Sequence, residues 1–418
     1  MDALLSEIEA REAECAALCA EMVRMPTLNP PGRHYRDICE WAARRYRRLG
    51  WDVELIRALG APGDSETYPR WNVLARWEAG PGPVLHLNGH HDVVAVGEGW
   101  THDPFGGAIA EGRVWGRGTC DMKGGIASAM VAAETLARHV TRGAVEVSLT
   151  ADEESGGYGG VAHLAEMGRF ARVDHVIIPE PLDPGRICLG HRGVWWAEIE
   201  TKGRIAHGSM PFLGDCAVRH MGAVLDEMEA TLFPLLDGRR TPEPVVPEGA
   251  RASTLNLNAV HGGEPVQPEG YDGLPSACVP DRCVLTIDRR FLPEEELAAV
   301  KGEVAAVMER VRARRPDFRY EIRDLFEVHP SRTPDDALVV VAVRDAVGAV
   351  LGRVAEHVLS PGTYDQKHID RIGRLKDCIA YGPGHLELAH QPDEWVGVRD
   401  MTEAAQVIAL AGWRLLEG

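Results

Sequence analysis

Between Val84 and Gly125 the chain reads VLHLNGHHDVV and then, after an interval, GRVWGRGTCDMKGG, so imidazoles and carboxylates fall where the backbone changes direction. Val84, Leu85 and Leu87 predict a short buried strand that runs out at the turn-prone pair Asn88-Gly89 and presents His90, His91 and Asp92 at its carboxyl end. Sites in open α/β sheets lie at that end of the strands. Val114-Trp115 leads into a second glycine-rich break, Gly116-Arg117-Gly118, followed by Thr119-Cys120-Asp121 and an alanine-rich helical run from Met122 to His139. Two such breaks can bring His90 and Asp121 to one point, and imidazole plus carboxylate is what a hydrolytic zinc ion needs.

Four more pieces carry chemically useful groups. VEVSLTADEESGG, from Val145 to Gly157, is a β-branched strand that ends in three consecutive acids; VIIPEP places Glu180 after another apolar strand; GRIAHGSMP offers His207; and AHQPDE holds His390 in a loop after Gly382-Pro383-Gly384. Each has an ordinary explanation when taken singly, because acids at a strand end are commonly solvated and an isolated histidine is commonly at the surface.

The elements that must position these groups follow from the rest of the chain. At 418 residues it exceeds what one hydrophobic core usually supports, so two domains are expected. A helix over 2–24 ends at the three prolines of MPTLNPPG, and a second covers about 35–49. Strands near 52–56, 73–77, 84–88, 145–150 and 174–178 alternate with helices at 122–139 and 159–169, the pattern of an α/β fold with a mixed, mainly parallel sheet and helices on both faces. Near His191 the style changes: a half-exposed strand at 194–201, a loop from Gly203 to Gly214, a helix at 215–230, strands at 253–260 and 282–291, and a helix at 294–313. That β-α-β-β-α order suggests an inserted α+β, ferredoxin-like module over 191–330, dividing the first domain into 1–190 and 331–418. The α/β style then returns with helices from Asp335 to Leu351 and from Asp400 to Leu416.

Net charge of -18 disfavours nucleic acid or an anionic membrane as partner. The amino terminus carries acids where a signal peptide would carry lysines, and no apolar run approaches the ~18 residues of a membrane span, so a cytoplasmic protein is expected. The nine cysteines are scattered without a CxxC pair and read as reduced, buried thiols. Cys120, next to Asp121, is the one to watch, and beside a metal it would ligate it rather than act as a nucleophile.

GHHDVV, GRGTCDMKGG, ADEESGG, IPEP, GRIAHGSMP and YGPGHLELAHQPDE resemble, in order and over nearly the whole chain, the successive motifs of the family of di-zinc amidohydrolases that includes aminoacylase, acetylornithine deacetylase, succinyl-diaminopimelate desuccinylase and glutamate carboxypeptidase. The resemblance implies two Zn2+ ions, with Co2+ or Mn2+ as possible substitutes: His90 and Glu180 on one, Glu154 and His390 on the other, and Asp121 bridging both. It implies that Asp92 orients the His90 imidazole and raises its basicity, that a cis peptide follows Asp121, and that Glu153 is the general base. At the end of an extended strand, adjacent residues point in opposite directions, which would let Glu154 bind metal while Glu153 faces the attacking water. His207 would reach the site across a homodimer formed through the inserted lid and dimerisation domain, and donate to the oxyanion of the tetrahedral intermediate.

For substrate, CVPDRCVLTIDRR resembles the insert strand whose arginine grips a carboxylate, a role that falls on Arg290 with Arg289 on the opposite face. The family usually has Asn three residues before that proline, where this chain has Ala277. Gly362 and Thr363 fit the substrate-contacting glycine-threonine loop; Tyr364, Asp365 and His368 depart from the commonest relatives and either tune specificity or pack that loop on the insert. The expected activity is hydrolysis of the amide of a small N-acyl amino acid. Alternatives are a dipeptidase or carboxypeptidase, a formamide or acyl-amine hydrolase acting on a heterocyclic amine of the thiamin-pyrimidine salvage type, and a non-enzymatic binding relative. A nucleotide-dependent dehydrogenase fails on spacing, since GRGTCD lacks the third glycine of GxGxxG.

Overall fold

A computed structural model of the chain describes residues 2–263, 273–274 and 277–418. These form two compact units, one of Met1–Gly190, Arg332–Val358 and Tyr364–Gly418, the other of His191–Ser331 and Leu359–Thr363.

The first unit is built on a mixed sheet. Seven of its strands run in the order Asp52–Arg57, Trp71–Gly80, Gly143–Thr150, Val84–His90, His175–Pro181, Cys378–Gly382, Arg186–His191. The four central strands, from Gly143–Thr150 to Cys378–Gly382, are parallel, and antiparallel strands flank them. Every residue of Gly143–Thr150, Val84–His90 and His175–Pro181 is buried, which requires cover on both faces of the sheet. Helix Tyr35–Arg48 shows how the sequence arranges such cover: Tyr35, Ile38, Cys39, Ala42, Ala43 and Tyr46 recur at helical spacing and are all buried, while five arginines, Asp37, Glu40 and Trp41 occupy the rest. Helix Gly124–His139 is buried nearly all round, and its small residues let it lie directly on the central strands.

Several expected boundaries shift. The amino-terminal helix is two helices, Asp2–Glu9 and Glu12–Val23, interrupted at Arg11, whose guanidinium turns inward to Glu14, Glu134, Thr135 and the Val131 carbonyl. The strand at Val84 does not end at Asn88-Gly89 but continues to His90, because the parallel ladder with Ser148, Leu149 and Thr150 carries it on. Gly89 serves packing and not a turn: a Cβ there would meet the Ile126 side chain at 2.6 Å.

The second unit is a four-stranded antiparallel sheet in the order Thr254–Gly262, Arg282–Phe291, Gly193–Lys202, Arg319–Val328. Helices Ala217–Glu227 and Leu297–Arg314 pack on it around Ala197, Ile199, Val224, Leu285, Ile287, Val300 and Val304. Residues alternating with that core carry cross-strand ion pairs, Lys202 to Glu321 and Arg282 to Glu200. Strand Arg319–Val328, absent from the sequence reading, completes a β-α-β-β-α-β order of the ferredoxin-like kind.

Candidate metal centre

The parallel strands of the first unit bring their carboxyl ends together, and the donors sit there. His90 closes strand Val84–His90, Glu180 lies in strand His175–Pro181, Glu153 and Glu154 follow strand Gly143–Thr150, and His390 follows strand Cys378–Gly382. Asp121 precedes helix Gly124–His139, at a point where Asp121 and Met122 leave helical backbone and the peptide between them is cis. That helix can approach Glu180 because residue 125 is glycine; a Cβ there would lie 1.8 Å from the carbonyl oxygen of Pro179.

His90, Asp121 and Glu154 each offer a ligand atom within 4.8 Å of the other two. Zinc holds imidazole nitrogen and carboxylate oxygen at ~2.0–2.2 Å, which places donors around one ion roughly 3–4 Å apart, so donors gathered this closely suit divalent cations. Asp121 faces two ways: Oδ1 is 3.0 Å from His90 Nε2, and Oδ2 is 3.5 Å from His390 Nε2. Glu154 Oε1 lies 3.0 Å from His390 Nε2, and Glu180 Oε1 lies 3.9 Å from His90 Nε2. Two donor groups therefore share Asp121, one with His90 and Glu180, the other with Glu154 and His390.

Buried carboxylates this close disturb one another. Burial pushes the Glu154 and Glu180 carboxyls up, and the Asp121 charge pushes in the same direction. Burial would raise Asp121 too, but hydrogen bonds from His390 and His90 hold it well below the usual carboxylate range. Hydrogen bonds that it donates to Asp121 and Glu154 raise His390 to about 10. Divalent cations would relieve the same crowding while binding deprotonated carboxylates and neutral imidazoles.

The supports are as specific as the donors. His90 Nδ1 lies 3.1 Å from the Asp92 carbonyl and 3.5 Å from its carboxylate, leaving Nε2 toward Asp121. Asp92 is fully buried and accepts hydrogen bonds from Asn29 (2.7 Å) and from the backbone N–H groups of Glu153 (3.1 Å) and Glu154 (3.2 Å), tying the two segments together. His91 faces the other way, donating from Nε2 to the Trp71 carbonyl, and burial lowers it to about 4. Glu153–Ser155 is a tight helical turn after Asp152, itself at φ 63°, and not an extended strand end. Glu153 and Glu154 thus diverge through the rotation of a turn, and Glu153 points to Lys367, with Nζ 2.7 Å from Oε1.

The sequence reading missed Arg117 and Glu394. Both are buried and paired. Glu394 Oε1 accepts from the N–H groups of Cys120 (2.9 Å) and Asp121 (3.1 Å), while Arg117 donates to the carbonyls of Ala95, Val96, His390 and Gln391. One ion pair therefore fixes the backbone of Asp121, of His390 and of the loop after Asp92. GRG and PDE hinted at turns only, and nothing in them signals a buried pair. Cys120 is buried, with its thiol on the His385 carbonyl and raised well above its ordinary value by burial and Glu394, a packed and not a nucleophilic group.

The profile of peptidase family M20/M25/M40 matches residues 86–412. The chain belongs to this family. It is thus an M20 hydrolase of amide bonds. Succinyl-diaminopimelate desuccinylase of Xanthomonas euvesicatoria pv. vesicatoria (strain 85-10) is 31% identical over 369 residues, 86% of this chain and 88% of that protein. The M20 fold is shared with human carnosine dipeptidase 1, at TM-score 0.75 and 18% identity over 100% of this chain and 99% of that one. It is shared also with a dinuclear metal binding peptidase from the M20 family of Bacillus subtilis, at TM-score 0.68 and 16% identity over 98% and 99%.

The remaining candidate site residues of this M20 chain belong to the second unit. His207 lies on an exposed loop, and its Nδ1 accepts from the Ser209 backbone N–H (3.1 Å), which fixes the neutral ring as the Nε2–H tautomer, a donor. Arg289 is fully buried with Ser253 and Glu295, whereas Arg290 is half-buried and held by Asp288 at 2.7 and 3.0 Å. Arg192, which the sequence reading passed over inside HRGVWW, is buried beside the Gly362-Thr363 loop, donating to the carbonyls of Pro361 (3.1 Å) and Ala252 (3.0 Å). Burial and the Arg290 charge lower it to about 10. Gly362 has open space above its Cα. Tyr364, Asp365 and His368 are buried in the first unit, where Tyr364 bonds Gln366, Asp365 accepts from Asn88, and His368 reaches the Gly156 carbonyl.

Proposed function

We propose that this M20 chain is a two-zinc deacylase that hydrolyses the amide of a small N-acyl amino acid. The observation that carries the reading is the division of labour among neighbouring acids: Asp121, Glu154 and Glu180 crowd against His90 and His390, while Glu153 stands beside them facing elsewhere. His90 and Glu180 would hold one cation and Glu154 and His390 the other, with Asp121 between them; Co2+ or Mn2+ could replace Zn2+. When bound, the metal pair supplies Lewis acidity toward the acyl oxygen and acidifies the attacking water.

Asp92 keeps the His90 ring in register, and Arg117 with Glu394 holds the Asp121 and His390 backbones, so the donors need no rearrangement on binding. Glu153 takes a proton from the attacking water and returns it to the leaving amine nitrogen. His207, fixed as an Nε2–H donor, hydrogen-bonds the developing oxyanion in the site of a partner copy of this chain, joined through the second unit. Arg290, assisted by Arg192 and the Gly362-Thr363 backbone, receives the substrate carboxylate, which a guanidinium binds through paired hydrogen bonds. The relative named as a desuccinylase supports an acylated amino acid as substrate. Nine cysteines, seven of them buried, support a reducing, cytoplasmic setting.

Amine release, followed by mass spectrometry from N-formyl, N-acetyl and N-succinyl amino acids, dipeptides and acyl amines without a carboxylate, tests the reading. Chelator-sensitive release from the carboxylate-bearing acyl amino acids is expected. Turnover of dipeptides alone would move the chain to the peptidase branch, turnover only of carboxylate-free amines would remove the role of Arg290, and silence throughout would refute the deacylase.

A further inference from the structure

Lys367 is 2% exposed, on the short helix Gln366–Arg371 of the first unit. Lysine is almost never buried without a partner, and burying an ammonium is costly where an apolar side chain would fill the volume. Its partner is Glu153, at 2.7 Å, the acid of the DEE triplet that stands outside the donor cluster. Burial works against the Lys367 charge, but Glu153 and Asp365 outweigh it and keep the ammonium protonated.

The helix is held on both sides of Lys367. Gln366 donates to the carbonyls of Leu189 (3.2 Å) and Cys378 (2.8 Å) and to Thr333 Oγ1 (2.9 Å), and accepts from the Tyr364 hydroxyl (2.6 Å). His368 Nε2 lies 2.7 Å from the Gly156 carbonyl, in the loop that carries Glu153. A side chain with four rotatable bonds is thereby delivered to one carboxylate oxygen from a pinned backbone. The same loop is anchored from the opposite side by Asp92, which accepts the Glu153 and Glu154 N–H groups. Glu153 is gripped at its backbone and at one oxygen, which leaves its other oxygen as the acceptor for a proton.

We infer that Lys367 is a positioning residue for the reaction: its ammonium fixes the rotamer of the Glu153 carboxylate and balances its charge among Asp121, Glu154 and Glu180, so that the base is aimed before substrate arrives. This rests on the reading of Glu153 as base. A general base held in place contributes about 10²–10⁴-fold to rate, and a loosened one forfeits part of that.

The test uses full-length K367M, K367R and E153Q, each compared with wild type for bound metal, thermal unfolding, kcat and KM on the substrate that the amine-release panel identifies. K367M should keep the wild-type metal content and a KM within about threefold, with kcat lowered by about 100-fold; K367R, which retains the charge, should recover to within about tenfold of wild type. A K367M enzyme with wild-type kcat beside an inactive E153Q overturns the inference and leaves the base assignment standing. Loss of metal in K367M, or a K367R as impaired as K367M, would mean that the lysine merely supports the fold, and overturns it equally. An active E153Q would sink the base assignment itself, and the inference with it.

Discussion

Glu394→Gln keeps the size of the side chain and removes its charge, and so separates the frame of the site from its chemistry. In the native arrangement Glu394 satisfies two backbone donors, Cys120 and Asp121, with one oxygen and Arg117 with the other. A glutamine can serve either side but not both, because its NH2 group must face either the backbone donors or the guanidinium. Breaking a buried ion pair by removing one partner costs ~3–5 kcal/mol. Arg117 keeps the carbonyls of Ala95, Val96, His390 and Gln391, so the lower end, about 3 kcal/mol, is expected from urea unfolding of the metal-free protein. Misplacing Asp121 and His390 together should weaken metal binding about 10–100-fold in a chelator competition, the range seen when groups supporting metal ligands are removed. Replacing both partners by apolar residues, as in R117M/E394M, should recover part of the stability but not the metal affinity. Glu394→Gln with unfolding free energy within about 0.5 kcal/mol of wild type, the scatter of an ordinary surface substitution, and with unchanged metal affinity would refute the reasoning.

Glu153→Ala should lower kcat by orders of magnitude while bound metal stays at the wild-type level, measured by plasma mass spectrometry alongside steady-state kinetics; loss of metal together with activity would show that Glu153 is a ligand. Mixed dimers of inactive His207→Ala and inactive Glu153→Ala subunits should regain activity, since each hybrid holds one site with a wild-type base and a wild-type partner histidine. No rescue after proven subunit exchange would count against His207 acting in trans. His368 supplies a pH dependence: burial lowers it from 6.5 to about 4, so its contribution is complete above about pH 6.5 and is lost as pH falls toward 4, at most about 3 kcal/mol. Urea unfolding across that window should show a steeper loss for wild type than for His368→Gln, and parallel curves would remove the assignment.

The candidate donors stood out because each sits at the end of a buried strand or beside a glycine break, and both features are written locally, in VLHLNGHHD, GRGTCD, ADEESGG and IPEP. What escaped depends on partners far along the chain. Arg117 meets Glu394 and Lys367 meets Glu153 across more than two hundred residues, and a lone arginine or lysine in a turn carries no sign that it will be buried. The reading of Glu153 and Glu154 as opposite faces of a strand reached the right divergence by the wrong geometry, because Asp152 takes a left-handed backbone and starts a helical turn. Strand Arg319–Val328 was passed over because charges dominate RYEIRDLFEV, and only Tyr320, Ile322 and Val328 betray its inward face. Gly89 misled in the opposite direction, reading as a turn where it makes room for Ile126.

Anomalous diffraction from crystals grown with zinc tests the two-metal claim most directly. Two peaks are expected in the first unit, one between His90 and Glu180, the other between Glu154 and His390, with Asp121 bound to both ions and Glu153 to neither. A single peak, or a peak with Glu153 in its coordination sphere, would contradict that claim.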